Sequence, residues 1–442
     1  MVTDFKVSLM VVGWVLTAYQ LVQTIVMAIA GKISDVIGAK RSFMLFTALF
    51  LAGSVLSAMA PNVYFLIGAR ALQAMGGGGF MPCAAGIVSD TFPEARQRYI
   101  GLFSSIFPVG AVIGPNIGGL LVNAFSWRSI FWLNVPLAVA ILVLAILLLP
   151  DSRKKDSGAG IDFTGAGLLF SSLSAFMFSI TVIGKNTAEI PWLFVSALLV
   201  LSAGLLIAFL RWESRVEEPI IDMALIKERP FMAANLYNVI YGVCALGIFS
   251  LIPLYAVSVY NMSVLQSGVL LTPRSVGMMI ASTVTSFSLV KWGYRKPILG
   301  GTLAVVGGLF LLGLQPQGIN FIGLQVGTVP LLFILVGICG IGHGVATPAA
   351  NNACIELMPD KVATITGLRG MFRNVGSTFG IAIATLLLNI IPDRDQAFRV
   401  VFVAPVLLML ISIPTIFIMP ASPNVGPLKK QAAEPIAKAS GG

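Results

Sequence analysis

Charge is scarce in this chain, and what there is stays away from the apolar runs. Only 10% of the 442 residues are charged, and all eighteen Asp and Glu fall in loops or near the ends of hydrophobic segments. No carboxylate is expected to reach mid-membrane. Histidine occurs once, at His343, and the four cysteines, Cys83, Cys244, Cys339 and Cys354, stand inside apolar runs with no metal-ligand spacing and no obvious pairing. With no Ser/His/Asp, Cys/His or metal constellation, neither an enzyme nor a bound metal or cofactor is expected. The start, Met-Val-Thr-Asp-Phe-Lys, lacks the basic region and small-residue cleavage site of a signal peptide. The first apolar run is therefore expected to stay in the membrane.

Apolar residues are what the chain has in quantity: 57% are hydrophobic and the mean hydropathy is +0.93. A bilayer crossing needs ~20 such residues. Thirteen runs qualify, at 7–30, 42–60, 63–89, 99–124, 129–149, 162–184, 191–211, 230–259, 266–290, 297–315, 328–355, 362–389 and 399–419. An all-α integral membrane protein follows, with the lipid bilayer as its surroundings. The net charge of +10 sits in short loops between spans, so no nucleic acid is implied. With loops assigned alternately, one side collects nineteen of the twenty-eight basic residues, among them Lys32, Lys40, Arg41, Arg96, Arg98, Arg295, Lys296 and Lys361. The positive-inside rule makes that side cytoplasmic.

Displacing the chain by 266 residues brings Gly76 onto Gly342, Pro82 onto Pro348, Asp90 onto Glu356, Gly101 onto Gly367, and Gly110 and Gly114 onto Gly376 and Gly380. Two related bundles are expected, as in transporters whose binding site lies between repeats. The organisation reads as an N-terminal bundle of five spans over 1–150, a segment with two extra spans over 151–229, a six-helix bundle over 230–420 and a cytoplasmic tail over 421–442. The counterpart of 230–259 would precede position 1, so a first helix is expected to be missing from the repeat.

Several motifs carry chemistry. Gly31, Asp35, Gly38, Lys40 and Arg41 form a basic-side turn in which Asp35 can cap a helix or meet a cation of the other bundle. Arg70 lies about seven residues into a span and shares the pattern R-x-x-Q-x-x-G with Gln73 and Gly76; a charge at that depth is costly, by ~2.5–3.5 kcal/mol on insertion scales. Gly110, Gly114 and Gly118 repeat every four residues beside Pro115, Asn116 and Gly119, predicting a bent helix with a bare stripe for close packing. Trp127 opens the pattern W-R-x-x-F-x-x-N-x-P. Polar residues suited to a cavity are Tyr19, Gln20 and Gln23 in the first span, Gln73 and Asn116, and in the second half Asn235, Asn238, Tyr241, Arg274, His343 and Asn351. A lone membrane histidine is more often a structural, hydrogen-bonded residue than a proton carrier.

The turn around Asp35, the Arg70 pattern, G-x-x-x-G-P-x-x-G-G and the Trp127 pattern together resemble the major facilitator superfamily, and in particular its fourteen-span drug:proton antiporters. The resemblance implies two pseudo-symmetric bundles plus two extra helices, and a proton-coupled exporter of amphipathic organic compounds or drugs in the cell membrane. Its energy would come from the proton gradient, and it would act as a monomer, with accessory periplasmic partners left open. It also assigns Arg70, Asp35, Gly31, Gly38, Arg41 and Asp90 to coupling or gating. Members of this kind usually carry an aspartate in their first helix, the one expected to be missing here. Export of an endogenous metabolite, siderophore or lipid fits the same motifs. A non-transporting membrane sensor is the alternative from another class.

Overall fold

The computed structural model describes residues 2–7, 9–150, 162–185, 190–216, 219–221, 223–321 and 324–422. Each of the thirteen apolar runs forms a long helix. In chain order these are α1 (Leu9–Ile37), α2 (Ala39–Ala58), α3 (Val63–Thr91), α4 (Arg96–Ala124), α5 (Arg128–Leu148), α6 (Phe163–Lys185), α7 (Trp192–Glu213), α8 (Arg229–Tyr260), α9 (Thr272–Trp292), α10 (Arg295–Gly313), α11 (Thr328–Ile355), α12 (Val362–Ile390) and α13 (Arg394–Ile418). Among the described residues, eleven are long and apolar enough to cross a bilayer; α4 and α9 are not in that set. In α9 the reason is polar content, since Arg274, Ser275, Ser282, Thr283, Thr285 and Ser286 all lie on it.

Local chemistry sets the helix ends. Asn62 accepts from the Phe65 amide at 2.8 Å to start α3, and Asp393 accepts from the Asp395 amide at 2.9 Å to start α13. Only Gly38 separates α1 from α2, at φ 96°, a conformation that a side chain would resist. The expected single run at 230–259 is a helix interrupted by a π-helical turn, Gly242–Gly247, and a 3-10 turn, Ile248–Leu251. A hairpin of β1 (Gly318–Phe321) and β2 (Leu324–Gly327) fills the connection between α10 and α11.

Helices α1, α2, α3 and α5 pack as one group and α8 to α13 as another, while α4 leans mainly on α9 and α11 of the second group. The extra helices α6 and α7 form a pair, tied by reciprocal bonds between Ser172 and Ser202 hydroxyls and carbonyls at 3.0 and 2.9 Å. Helix α6 packs against both α1 and α12. Helix α7 presents Leu193, Val200 and Leu201 outward, as a lipid-facing helix would.

The glycine stripe is where the structure corrects the expectation of close packing. A Cβ at Gly110, Gly114 or Gly118 would meet nothing within 4 Å, whereas the repeat-related Gly376 and Gly380 lie against the Val239 and Val243 carbonyls of α8. The physical reason is that no neighbouring helix among the described residues comes within 4 Å of that face of α4, whereas α8 packs on the matching face of α12. The side chains of Pro115, Asn116 and Gly119 lie outside the described residues. A contrast follows. Gly376→Leu would force α12 away from α8, at ~1–3 kcal/mol or more, and should sharply reduce monodisperse protein in detergent; Gly114→Leu should leave yield and melting temperature near wild type. Equal losses in both variants, read by fluorescence-detected gel filtration, would contradict the open stripe.

Candidate functional site

In the N-terminal bundle, Arg70 is held by four helices. Its Nη1 donates to Gln73 Oε1 at 2.5 Å, and Gln73 Nε2 donates to Ser54 Oγ on α2 at 2.7 Å. The guanidinium also lies 4.0 Å from the centroid of the Tyr19 ring on α1 and 5.5 Å from that of Phe131 on α5. Gln73 is buried, and the Tyr19 hydroxyl lies against Gly77, where a Cβ would have no room. Cation–π contacts are worth about 0.5–1 kcal/mol at exposed sites and about 2 kcal/mol when desolvated, and Arg70 is partly buried. They hold a charge in a place where lipid alone would expel it.

Arg70, Tyr19 and Gln20 open onto a cavity of about 580 Å³ between α1, α6 and α12, shared with Thr17, Thr181 and Thr378. Its volume suits a drug-sized compound. Arg70 is the only charged residue lining it among the described residues. Gln23 sits one turn deeper on α1, near Gly77. The tryptophan motif closes the nearby helix ends: Trp127 Nε1 donates to Asp4 Oδ2 at 2.7 Å, and Arg128 Nη2 to the Ala60 carbonyl at 3.1 Å. Through Phe131 the same motif reaches Arg70.

On the basic side the two bundles are closed against each other. Asp35 Oδ2 accepts from the Thr364 amide at 2.9 Å, so the carboxylate of one bundle caps the first turn of α12 in the other. Negative charge at a helix N-terminus is stabilising. Gly31 lies against the backbone of Ala363 and Thr364, and Gly367 against the Met27 carbonyl. The repeat-related Gly101 makes the matching approach, of α4 onto Ser286 of α9. Each bundle thus contributes one glycine of a repeat pair to the closure. Around Glu356, Arg96 Nη2 lies 3.5 Å away, Tyr294 donates at 2.9 Å and Gln97 at 3.4 Å. Burial first, and then the charge of Glu356, push the Tyr294 hydroxyl well above its ordinary value, so it donates as a neutral phenol.

Several residues fall elsewhere than expected. Asn351 Nδ2 donates to Ser104 Oγ at 2.7 Å, which places it in the closure between bundles and not in a substrate cavity. Asn235 and Asn238 donate to the carbonyls one turn back, Phe231 and Ala234, at 3.0 and 2.8 Å. Arg41 is exposed, while its neighbour Lys40 donates to the Leu149 carbonyl at the end of α5 at 2.7 Å. Asp90 is exposed and shares a cleft with Asp35 and Asp360. Tyr241, Arg274 and His343 do meet, in the C-terminal bundle. Sequence reading missed Ser54 and Phe131 as supports of Arg70. Spacing gives no sign of either, because both lie on other helices.

Two pseudo-symmetric helical groups, a mostly apolar cavity between them and closure on one side define a secondary transporter, which moves solutes and carries out no chemical conversion. The sequence matches the Major Facilitator Superfamily over residues 1–324 and 238–440, and the chain belongs to that family. It is 29% identical over 385 residues to the multidrug transporter protein MdtP of Bacillus subtilis, covering 86% of this chain and 69% of that protein. It is 31% identical over 395 residues to the multidrug resistance protein B homolog of Mycobacterium tuberculosis, covering 88% and 71%. The human organic anion transporter MFSD10 (TETRAN) has the same fold, with a TM-score of 0.64 at 15% identity over 91% of this chain and 83% of that one.

Proposed function

We propose that the protein is a proton-coupled exporter of amphipathic organic compounds, working as a monomer in the cell membrane with the proton gradient as its energy source. The observation that carries this reading is the cavity of about 580 Å³ with Arg70 in its wall, set between bundles that are closed on the basic side. Such a cavity is large enough for a drug-sized molecule and mostly apolar, with a few polar groups to orient it. Alternation of the closure between the two sides would then move the compound across, each state favoured by what it binds. The printed names of the bacterial relatives, multidrug transporter and multidrug resistance protein, support the same substrate range.

Everted membrane vesicles test it. With the interior acidified and a pH-sensitive dye inside, compounds that the protein accepts should release interior protons on addition, and vesicles without the protein should not respond. A panel of amphipathic compounds that never changes interior pH, alongside abundant folded protein, would refute proton-coupled export.

A further inference from the structure

A smaller cavity of about 50 Å³ lies in the C-terminal bundle, lined by Tyr241, Arg274, His343, Thr347 and Arg373, with Phe107 and Pro108 of α4, which packs on this bundle, completing its wall. Two guanidinium groups therefore border one space, and among the described residues no Asp or Glu lines it. Arg274 reaches it from α9, donating through Nη2 to the Ala245 carbonyl at 3.0 Å with its charge 4.6 Å from the centroid of the Phe249 ring. Among the described residues its buried Nε has no hydrogen-bond partner, and neither has the Nε of Arg373 on α12.

His343 is 1% exposed. Its Nδ1 lies 3.1 Å from the Cys339 carbonyl, which can only accept, so that nitrogen carries the proton and Nε2 is left buried with no partner among the described residues. Tyr241 completes the wall, its hydroxyl 2.9 Å from Thr347 Oγ1 and its ring 5.1 Å from the His343 ring. Tyr241 directly precedes the π-helical turn Gly242–Gly247, and Ala245 lies within it; such turns concentrate at functional sites.

Partly buried cations with no acid among the described lining residues are costly, and their buried, unmade Nε donors add to the cost. A carboxylate, sulfonate or phosphate oxygen pair would relieve both, because the guanidinium fork matches the geometry of an oxyanion. The volume fits such a group and not a whole drug. The rest of a compound would extend toward α4, across the seam that opens when the two groups separate. From this geometry we infer that Arg274, Arg373 and Tyr241 form an oxyanion subsite, which takes the acidic group of an anionic or zwitterionic aromatic compound. This rests on the transport reading above and narrows its substrate class.

The test uses the purified full chain in phosphatidylcholine nanodiscs and three matched probes: 2-naphthoate, neutral 2-naphthamide and 2-naphthylmethylammonium. Equilibrium binding of the carboxylate should exceed that of the other two by about tenfold or more, the equivalent of one charge-assisted hydrogen bond pair. Arg274→Gln and Arg373→Gln should bring naphthoate down to the affinity of the amide, leave amide binding unchanged, and hold or raise the melting temperature of the empty protein. A residue with only a structural role would lower that temperature. A lipid headgroup could supply the same oxyanion. In that case, replacing part of the lipid with phosphatidylglycerol should raise the wild-type melting temperature, weaken naphthoate binding, and do neither in the arginine variants. Equal affinity for all three probes with no arginine-dependent response to phosphatidylglycerol would overturn the subsite, as would arginine variants that keep the carboxylate preference. Because binding is read without a gradient, a chain that prefers naphthoate yet never releases vesicle protons refutes export and not the subsite. Proton release by cationic compounds without any oxyanion preference refutes the subsite and not export.

Discussion

Arg70→Ala is expected to cut gradient-driven export roughly thirtyfold at equal protein level. The substitution removes the only charge lining the large cavity among the described residues and leaves the buried Gln73 carbonyl oxygen without its donor. A hydrogen bond to a charged group contributes about 2 kcal/mol, and each 1.4 kcal/mol is about tenfold. Arg70→Lys should keep part of the rate. Lysine retains the charge, but it lacks the planar fork that stacks on Tyr19 while bonding Gln73. Rates are to be read in vesicles against an imposed pH gradient, normalised to folded protein. Undiminished export by Arg70→Ala would make the arginine a structural anchor of four helices and nothing more.

Asp35→Asn is expected to shift the two-state balance away from the form closed on the basic side. The side chain keeps its shape and can still accept from the Thr364 amide, but it loses the charge that favours the N-terminus of α12. That electrostatic part is worth about 1 kcal/mol in a partly buried setting, which is roughly a fivefold change in the ratio of states. Thr366 is buried in the seam with Ser104, Asn351 and Arg369, so it reports opening. In a background free of native cysteines, maleimide should label Thr366→Cys about fivefold faster once Asp35→Asn is added. Unchanged labelling would remove Asp35 from the gate.

Much of this architecture was legible in the sequence, because hydropathy encodes spans directly and lipid leaves helices as the main way to satisfy a buried backbone. The repeat was legible for a similar reason: Gly101 and Gly367 are glycines since each brings one helix onto the opposite bundle without room for a Cβ. Asp35 was readable as a cap, but its partner, more than three hundred residues away, was not. What stayed hidden depends on three-dimensional neighbours. Nothing in Gly242–Gly247 announces a π-helical turn, and nothing in the spacing of Arg274, His343 and Arg373 shows that α9, α11 and α12 bring them to one cavity. The bare stripe at Gly110, Gly114 and Gly118 read as an interface because close packing is the common use of that spacing. Its open face is a property of the surroundings, which a motif cannot report.

The measurement that bears most directly on the central claim uses the purified chain in proteoliposomes, with a compound chosen by its proton release in vesicles. Interior pH and compound concentration are followed together after a pH gradient is imposed. The compound should move against its own concentration gradient while protons move the opposite way, both fluxes should stop when an ionophore collapses the pH difference, and Arg70→Ala should slow both. Compound movement that only equilibrates concentrations, at a rate indifferent to the pH gradient, would contradict that claim.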